Sequence, residues 1–349
     1  ITFHTKLGSL AKKMGRVGKL ADELAVVLGA DTTKVSRAAY LAKADLVSEM
    51  VCEFPELQGV MGQHYARHDG EDDDIAMAIA EHYSPLGPSD SCPASPVSVA
   101  VALADKIDTL VGFWAIEEKP TGSRDPFALR RAALGVIRLI IENGARLNLM
   151  TVFRLAHDGV VSDTRHGDDA VQEEFTFGPD LLVFFAERLK VYLREQGVRH
   201  DLITAVFALG VEDDLVRLLA RVEALKLFLE TTDGTNLLTA YKRSANILRI
   251  EEKKDNCHYN HIHGLDDKQL KEKAESRLYQ KLIEIGPAVT SALEKEQFSE
   301  AMRVLASLRL LVDDFFNNVT VNADDPALRE SRLKLLSLIR SSMNQIADF

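Results

Sequence analysis

Apolar residues recur every third or fourth position along most of the chain, the spacing that gathers them on one face of an α-helix. Leu7, Leu10, Met14, Val17, Leu20, Leu24 and Val27 form the first such stripe, closed by Gly29 and Asp31. A second helix is predicted from about Thr32 to Glu53, with Pro55 as its boundary. A third carries His64 and His68, and a short fourth spans Asp72–Tyr83. Ser84–Pro96 holds four Pro, four Ser and one Gly, so it reads as a surface loop. From Ser95-Pro96 a long helix runs through Trp114; Val97, Ala100, Val101, Ala104, Ile107 and Leu110 make its buried stripe, with Asp105 and Asp108 beside it.

The turn-rich run Lys119–Asp125 leads into a helix predicted over Asp125–Asn143, with Asp125 as N-cap and Pro126 in the first turn. Its core face carries Phe127, Leu129, Ala132, Ala133, Val136, Ile137 and Ile140. Arg131 and Arg138, seven residues apart, share another face, and Arg130 lies to one side. Further helices are predicted over Leu147–Val160, Pro179–Gln196, Asp201–Leu209 and Asp213–Glu230. Thr231-Thr232-Asp233-Gly234 is the strongest boundary signal. Beyond it lie Tyr241–Leu248 and three long amphipathic helices over Leu265–Leu293, Gln297–Val319 and Pro326–Ala347. The predicted fold class is all-α, in three helical segments of residues 1–147, 148–233 and 234–349.

Composition supports helix: only 10 Pro and 7% aromatic residues in 349, against long runs rich in Leu, Ala, Glu, Lys and Arg. An apolar content of 46% is enough for two or three cores. No apolar run approaches the length of a membrane span, and the first residues are polar and basic rather than signal-like. Cys52, Cys92 and Cys257 show no paired spacing, which excludes a disulfide framework and points to a reducing, cytoplasmic setting. The chain opens on Ile in the middle of a pattern, as a piece of a longer protein does.

Three stretches carry candidate chemistry. His64 and His68 have metal-ligand spacing on a helix, although a bare pair equally describes a helix face satisfied by its neighbours. Cys257-His258-Tyr259-Asn260-His261-Ile262-His263 is rich in ligand types, but it lacks a second cluster and reads as an exposed loop. Ile1–Ala21 contains Lys6, Lys12, Lys13, Arg16 and Lys19 and no acidic residue, so these cations make either a solvated face or a phosphate-facing patch. The net charge of −11 confines nucleic-acid binding to local patches.

Taken together, KADL at 43–46, MGQHYARHDGE at 61–71, ADKIDTL at 104–110 and above all DPFALRRAALGVIRLI at 125–140 closely resemble the β subunit of the bacterial heterotetrameric glycyl-tRNA synthetase, across the full 349 residues. The order of elements in 1–147, with Asp45, His64, His68 and Asp105, resembles the HD metal-dependent phosphohydrolase fold, which activates water on a divalent metal. Ala44 stands where that fold has the His of its His-Asp doublet, so the resemblance implies a degenerate, empty site. AYKRSANIL at 240–248 and DDPALRESRLKLL at 324–336 resemble the helical anticodon-binding domain of arginyl-type synthetases, with Ala327-Leu328-Arg329 at the namesake motif.

The resemblance implies a tRNA-binding part of glycine–tRNA ligase without catalytic residues or cofactors of its own. ATP and glycine are then expected at the α subunit, in an α2β2 heterotetramer. Tyr241, Lys242, Arg243, Arg329 and Arg332 become candidates for the anticodon arm, since they flank the two motifs and include one stacking-capable ring. Arg130, Arg131 and Arg138 are weaker candidates for tRNA phosphates. The competing readings are an HD-type phosphohydrolase and a helical scaffold that only mediates subunit contacts.

Overall fold

The computed structural model describes residues 1–164, 171–172, 174–210, 212–259, 265 and 269–348. It is all-α: among the described residues, strand is confined to the antiparallel ribbon of β1 (Thr2–His4) and β2 (Gly8–Ser9), with one isolated bridge at Thr121 and Arg124. The chain folds into two compact units, one of Ile1–Gln196 with Val211–Val216 and the other of Gly197–Gly210 with Arg217–Phe349. The segment 148–233 expected between two domains is thus divided between the two units. No helix among the described residues is long and apolar enough to cross a membrane. Cys52, Cys92 and Cys257 are free thiols.

The N-terminal unit is built around α6 (Pro96–Ala115), in which every residue from Val97 to Ala104 is buried. A helix apolar on all sides is stable only when neighbours cover all of it. Here α1 (Leu10–Leu28), α2 (Thr32–Leu41), α5 (Asp73–Glu81), α7 (Leu129–Asn143) and α8 (Leu149–Thr164) all pack on α6. The chain also forms α3 (Glu49–Glu53), α4 (Val60–His68) and α9 (Gly178–Glu195), the last packing on α7 and α8.

Two predicted helices of this unit begin or end elsewhere. The helix predicted over Thr32–Glu53 stops at Leu41, continues as a 3-10 turn over Ala44–Val47, and restarts as α3. Polar side chains make the break. Asp45 turns inward to accept the backbone N–H groups of Gly59 and Gly62, at 2.6 and 3.0 Å, and Ser48 caps α3 through Val51 N–H. The helix predicted from Asp125 starts instead at Leu129, behind Ala128 at φ 56°. Asp125 still does the capping, reaching forward to Leu129 N–H and Arg130 N–H at 2.8 and 3.0 Å. The intervening turn lays Phe127 flat on Phe113, 4.0 Å between ring centres.

The C-terminal unit comprises α10 (His200–Phe207), most of α11 (Leu215–Leu229), α12 (Thr232–Asp255), α13 (Lys273–Glu294), α14 (Phe298–Ala306), α15 (Arg309–Asn318) and α16 (Pro326–Asn344). The predicted boundary at Thr231 is a helix start rather than a linker: Thr231 Oγ1 accepts Gly234 N–H and opens α12. The helix predicted over Gln297–Val319 is broken between α14 and α15, where Ser307 donates to the Val304 carbonyl at 2.6 Å. The core lies where α12, α13, α14, α15 and α16 meet, and holds Leu278, Met302, Val312, Phe315, Leu333 and Leu336.

Candidate functional site

The five candidate residues of the C-terminal unit sit on α12 and α16, which pack against each other. Their contact face is ionic as well as apolar. Arg329 reaches from α16 to Glu251 and Asp255 on α12, the latter at 2.6 Å, and to the Tyr259 hydroxyl at 3.3 Å. A charge-assisted bond from Arg329 holds Glu251 below the ordinary carboxylate range, and the Tyr259 hydroxyl, followed by Arg329, does the same for Asp255. One helical step on, Arg332 is buried and pairs with Glu275 of α13 while donating to the Thr320 carbonyl at 2.7 Å. Arg340 completes the row, 3.0 Å from Glu252. The basic run of α16 therefore faces acids of its own unit.

Tyr241 is a core residue, 1% exposed, with its hydroxyl 2.7 Å from Asn344 Oδ1 and 2.8 Å from Asp348 Oδ1. It offers no ring to a base. Arg332 likewise offers no charge to a phosphate, and both expectations are corrected: each residue shares a face with the apolar stripe of its helix and is covered by packing. Tyr241→Phe is expected to cost about 1–2 kcal/mol of stability, the loss of one buried donor, and to leave RNA affinity unchanged. Urea unfolding alongside an RNA titration checks both halves.

Lys242 and Arg243 are exposed on α12. The Arg243 guanidinium lies over the Phe316 ring, 4.2 Å from its centre. Phe316 was not singled out from the sequence. The signal was present, since adjacent residues cannot both face one core: Phe315 is fully buried and Phe316 is half-exposed at the side.

The four residues of the HD-like set are not brought together. His64 and His68 stand on the exposed face of α4. Asp45 gives its Oδ2 to the two N–H groups that start that helix. Asp105 is clamped by lysines, 2.9 Å from Lys13 Nζ and 3.4 Å from Lys43 Nζ. Burial acts to raise the Asp105 carboxyl, but Lys13 and Lys43 outweigh it and hold it well below the usual range. Desolvation dominates at the neighbours: it lowers the Lys43 ammonium, pushes His82 well below the ordinary imidazole range and brings Lys106 down to about 8. Among the described residues no three His, Cys, Asp or Glu side chains converge as metal ligands. Of the run Cys257–His263, residues 260–263 lie outside the described residues, and His258 is almost fully exposed, 3.8 Å from Glu252.

This internal charge network was missed in the sequence, where Lys13 and Arg16 read as a solvated face or a phosphate patch. Both are buried, at 3% and 4% exposure. Arg16 grips Asp108 with two bonds, Nε to Oδ1 at 2.7 Å and Nη2 to Oδ2 at 3.2 Å, and reaches Asp163 at 3.2 Å. Lys13 adds a contact to Asp108 at 3.1 Å. The legible hint was a pair of i,i+3 doublets of opposite sign, each flanking an apolar stripe.

The weaker arginine candidates have three different settings. Arg130 donates to the Gly122 carbonyl at 2.6 Å. Arg138 is buried, paired with Glu142 and bonded to the carbonyls of Gly87 and Asp90. Arg131 is exposed. Arg131 and Arg138 do share a face, as their spacing predicts, and line one concavity.

Comparison with known proteins bears on both units. Residues 1–208 match the family described as Glycyl-tRNA synthetase beta subunit, and residues 237–349 match the DALR anticodon binding domain. Over all of this chain, 55% of positions are identical to the glycine–tRNA ligase beta subunit of Rhodospirillum centenum and 51% to that of Ruegeria sp., with 48% of each relative covered. The beta subunit of Cereibacter sphaeroides is 51% identical, with 49% of it covered. The chain spans about half the length of the curated relatives it matches. With its first 208 residues matching the family model and half or more of its positions shared with these relatives throughout, the chain belongs to the glycyl-tRNA synthetase beta subunit family.

Proposed function

We propose that this chain is a tRNA-binding portion of a glycine–tRNA ligase, and that its C-terminal unit engages the anticodon arm through the exposed face of α12. The observation that carries the reading is the match of residues 237–349 to an anticodon-binding domain whose exposed surface here includes Lys242 beside the Arg243–Phe316 stack. A guanidinium held over an aromatic ring is positioned to meet an unstacked base, and a neighbouring lysine takes the phosphate. In this reading Tyr241, Arg329 and Arg332 hold α12 and α16 in place and touch no RNA. An α subunit supplies the ATP and glycine sites, in an α2β2 assembly in the cytoplasm, and this portion adds no catalytic residue. The clamping of Asp105 by Lys13 and Lys43 speaks against a phosphohydrolase, because two cations occupy that carboxylate where a metal would bind.

The test is a salt-dependent titration with glycine tRNA and a non-cognate tRNA. Lys242→Ala is expected to weaken both tRNAs about equally and flatten the salt slope by roughly one unit. Arg243→Ala is expected to cost about 1–3 kcal/mol through the lost stack, with weaker discrimination between anticodons. Unchanged affinity in both variants would refute the α12 assignment. No tRNA binding by the unaltered chain at low salt would leave the scaffold reading.

A further inference from the structure

The concavity shared by Arg131 and Arg138 has a volume of about 470 Å³, within the range of small-ligand sites. One wall is the loop Pro85–Pro88, the floor is α7 at Gly135 and Arg138, and the far side is the end of α9 with Tyr192 and Gln196. All of it lies in the N-terminal unit.

The walls are set before any ligand arrives. Arg138 donates to the carbonyls of Gly87 and Asp90 at 2.8 and 2.7 Å, while the Asp90 carboxylate accepts Leu86 N–H and Gly87 N–H at 2.8 and 3.0 Å. The loop is therefore tied to α7 from both ends of one short turn. Gly135 permits the approach: a Cβ there would meet Lys106 Cε at 2.8 Å and the Pro85 carbonyl at 3.4 Å. Arg138 makes one bond from each of its three nitrogens, to Glu142 and to the two wall carbonyls, so it shapes the cavity.

The groups left to a ligand are of three kinds. Arg131 is exposed on the same face of α7 and forms no ion pair among the described residues. Tyr192 lines the furrow half-buried, and burial raises its phenol, so it stays a protonated ring with a hydroxyl donor. Glu195 on the rim is an acceptor, which repels a second phosphate and suits an exocyclic amine. An aromatic face, a single guanidinium and one carboxylate acceptor around a nucleotide-sized space form a consistent set.

We propose that this furrow takes one unpaired nucleotide of the RNA, with an amino-bearing base against Tyr192 and its phosphate on Arg131. The inference rests on the tRNA-binding reading and extends it to a second contact, in the other unit of the chain. Arg131 serves the backbone and Tyr192 the base, so the two are separable by experiment.

The whole chain, unaltered and with Arg131→Ala, Tyr192→Leu or Tyr192→Phe, is titrated with a single-stranded tetranucleotide of adenylate and cytidylate, with the same strand in a duplex, and with glycine tRNA. Far-UV circular dichroism confirms that each variant is folded. The single strand is expected to bind at least roughly tenfold tighter than the duplex, and Tyr192→Leu to remove roughly that factor while Tyr192→Phe retains it. Arg131→Ala is expected to weaken the single strand and lower its salt slope by roughly one unit. Unaltered single-strand and tRNA affinity in both Arg131→Ala and Tyr192→Leu overturns the furrow proposal while tRNA binding itself stands. Equal binding of single strand and duplex overturns it too. Absence of any tRNA binding by the unaltered chain instead overturns the reading on which it rests.

Discussion

Replacing Arg332 with methionine is expected to destabilise the C-terminal unit by about 3–5 kcal/mol. The Glu275 side chain has no exposed surface, and Arg332 supplies its countercharge. Without that guanidinium the carboxylate keeps only the Glu272 N–H at 2.9 Å, and the Thr320 carbonyl loses its donor. An unpaired buried charge costs far more than the pair contributes, so the double variant Arg332→Met/Glu275→Gln should recover a large part of the loss. Urea unfolding followed by circular dichroism is the measurement, and an unchanged midpoint in Arg332→Met would show that Glu275 finds another partner. The experiment also separates the structural role from RNA contact. If Arg332 met the tRNA directly, affinity at low temperature would fall even where the variant is fully folded, and the buried pair predicts that it does not.

Asp108→Asn should have an effect of similar size, about 3–5 kcal/mol, in the N-terminal unit. Asp108 is 1% exposed and lies between Lys13 and Arg16, so neutralising it leaves two buried cations sharing fewer negative partners. The amide is nearly isosteric, which isolates charge from packing. Asp105 adds a pH dependence of definite sign. Its folded carboxyl is held well below the usual range, so its contribution is fully present above the unfolded value near about 3.9 and is lost as pH falls through the lower folded value. The stability gap between the unaltered chain and Asp105→Asn should thus be flat from about pH 5 to 7 and shrink below about pH 4. Unfolding curves at pH 3 to 7 decide it. A gap that widens on acidification would mean that Lys13 and Lys43 do not govern that carboxyl.

The candidate site was legible in part. Lys242 and Arg243 were singled out because they lie in one of the two motifs that resemble an anticodon-binding domain, and both are exposed in the fold. Tyr241, two residues before Arg243, points into the core: at about 100° per residue a neighbour in sequence is on another side of the helix. The same rule made Phe315 and Phe316 separable in principle, one inward and one at the flank. Arg329 was a candidate for the anticodon arm and is half-buried in the fold, because its acids Glu251 and Asp255 lie more than 70 positions away, where no local pattern pairs them. The furrow between α7 and α9 was half visible. The spacing put Arg131 and Arg138 together, whereas Tyr192 entered only once α9 was packed against α7.

The sequence by itself determined the all-α class, the positions of most helices, and Asp125 as the residue that caps α7, because periodicity and capping act over a few residues. It also carried the family, through motifs such as DPFALRRAALG. Tertiary structure alone decided which flanks of those helices would be covered. Lys13, Arg16 and Arg332 stand beside apolar stripes just as solvated cations do, and their periodicity is the same in either case. They are interior because α6 brings Asp105 and Asp108 against α1, and α13 brings Glu275 against α16. Only that distant opposite charge lets a cation stay buried, and distance along the chain is what a local pattern does not record.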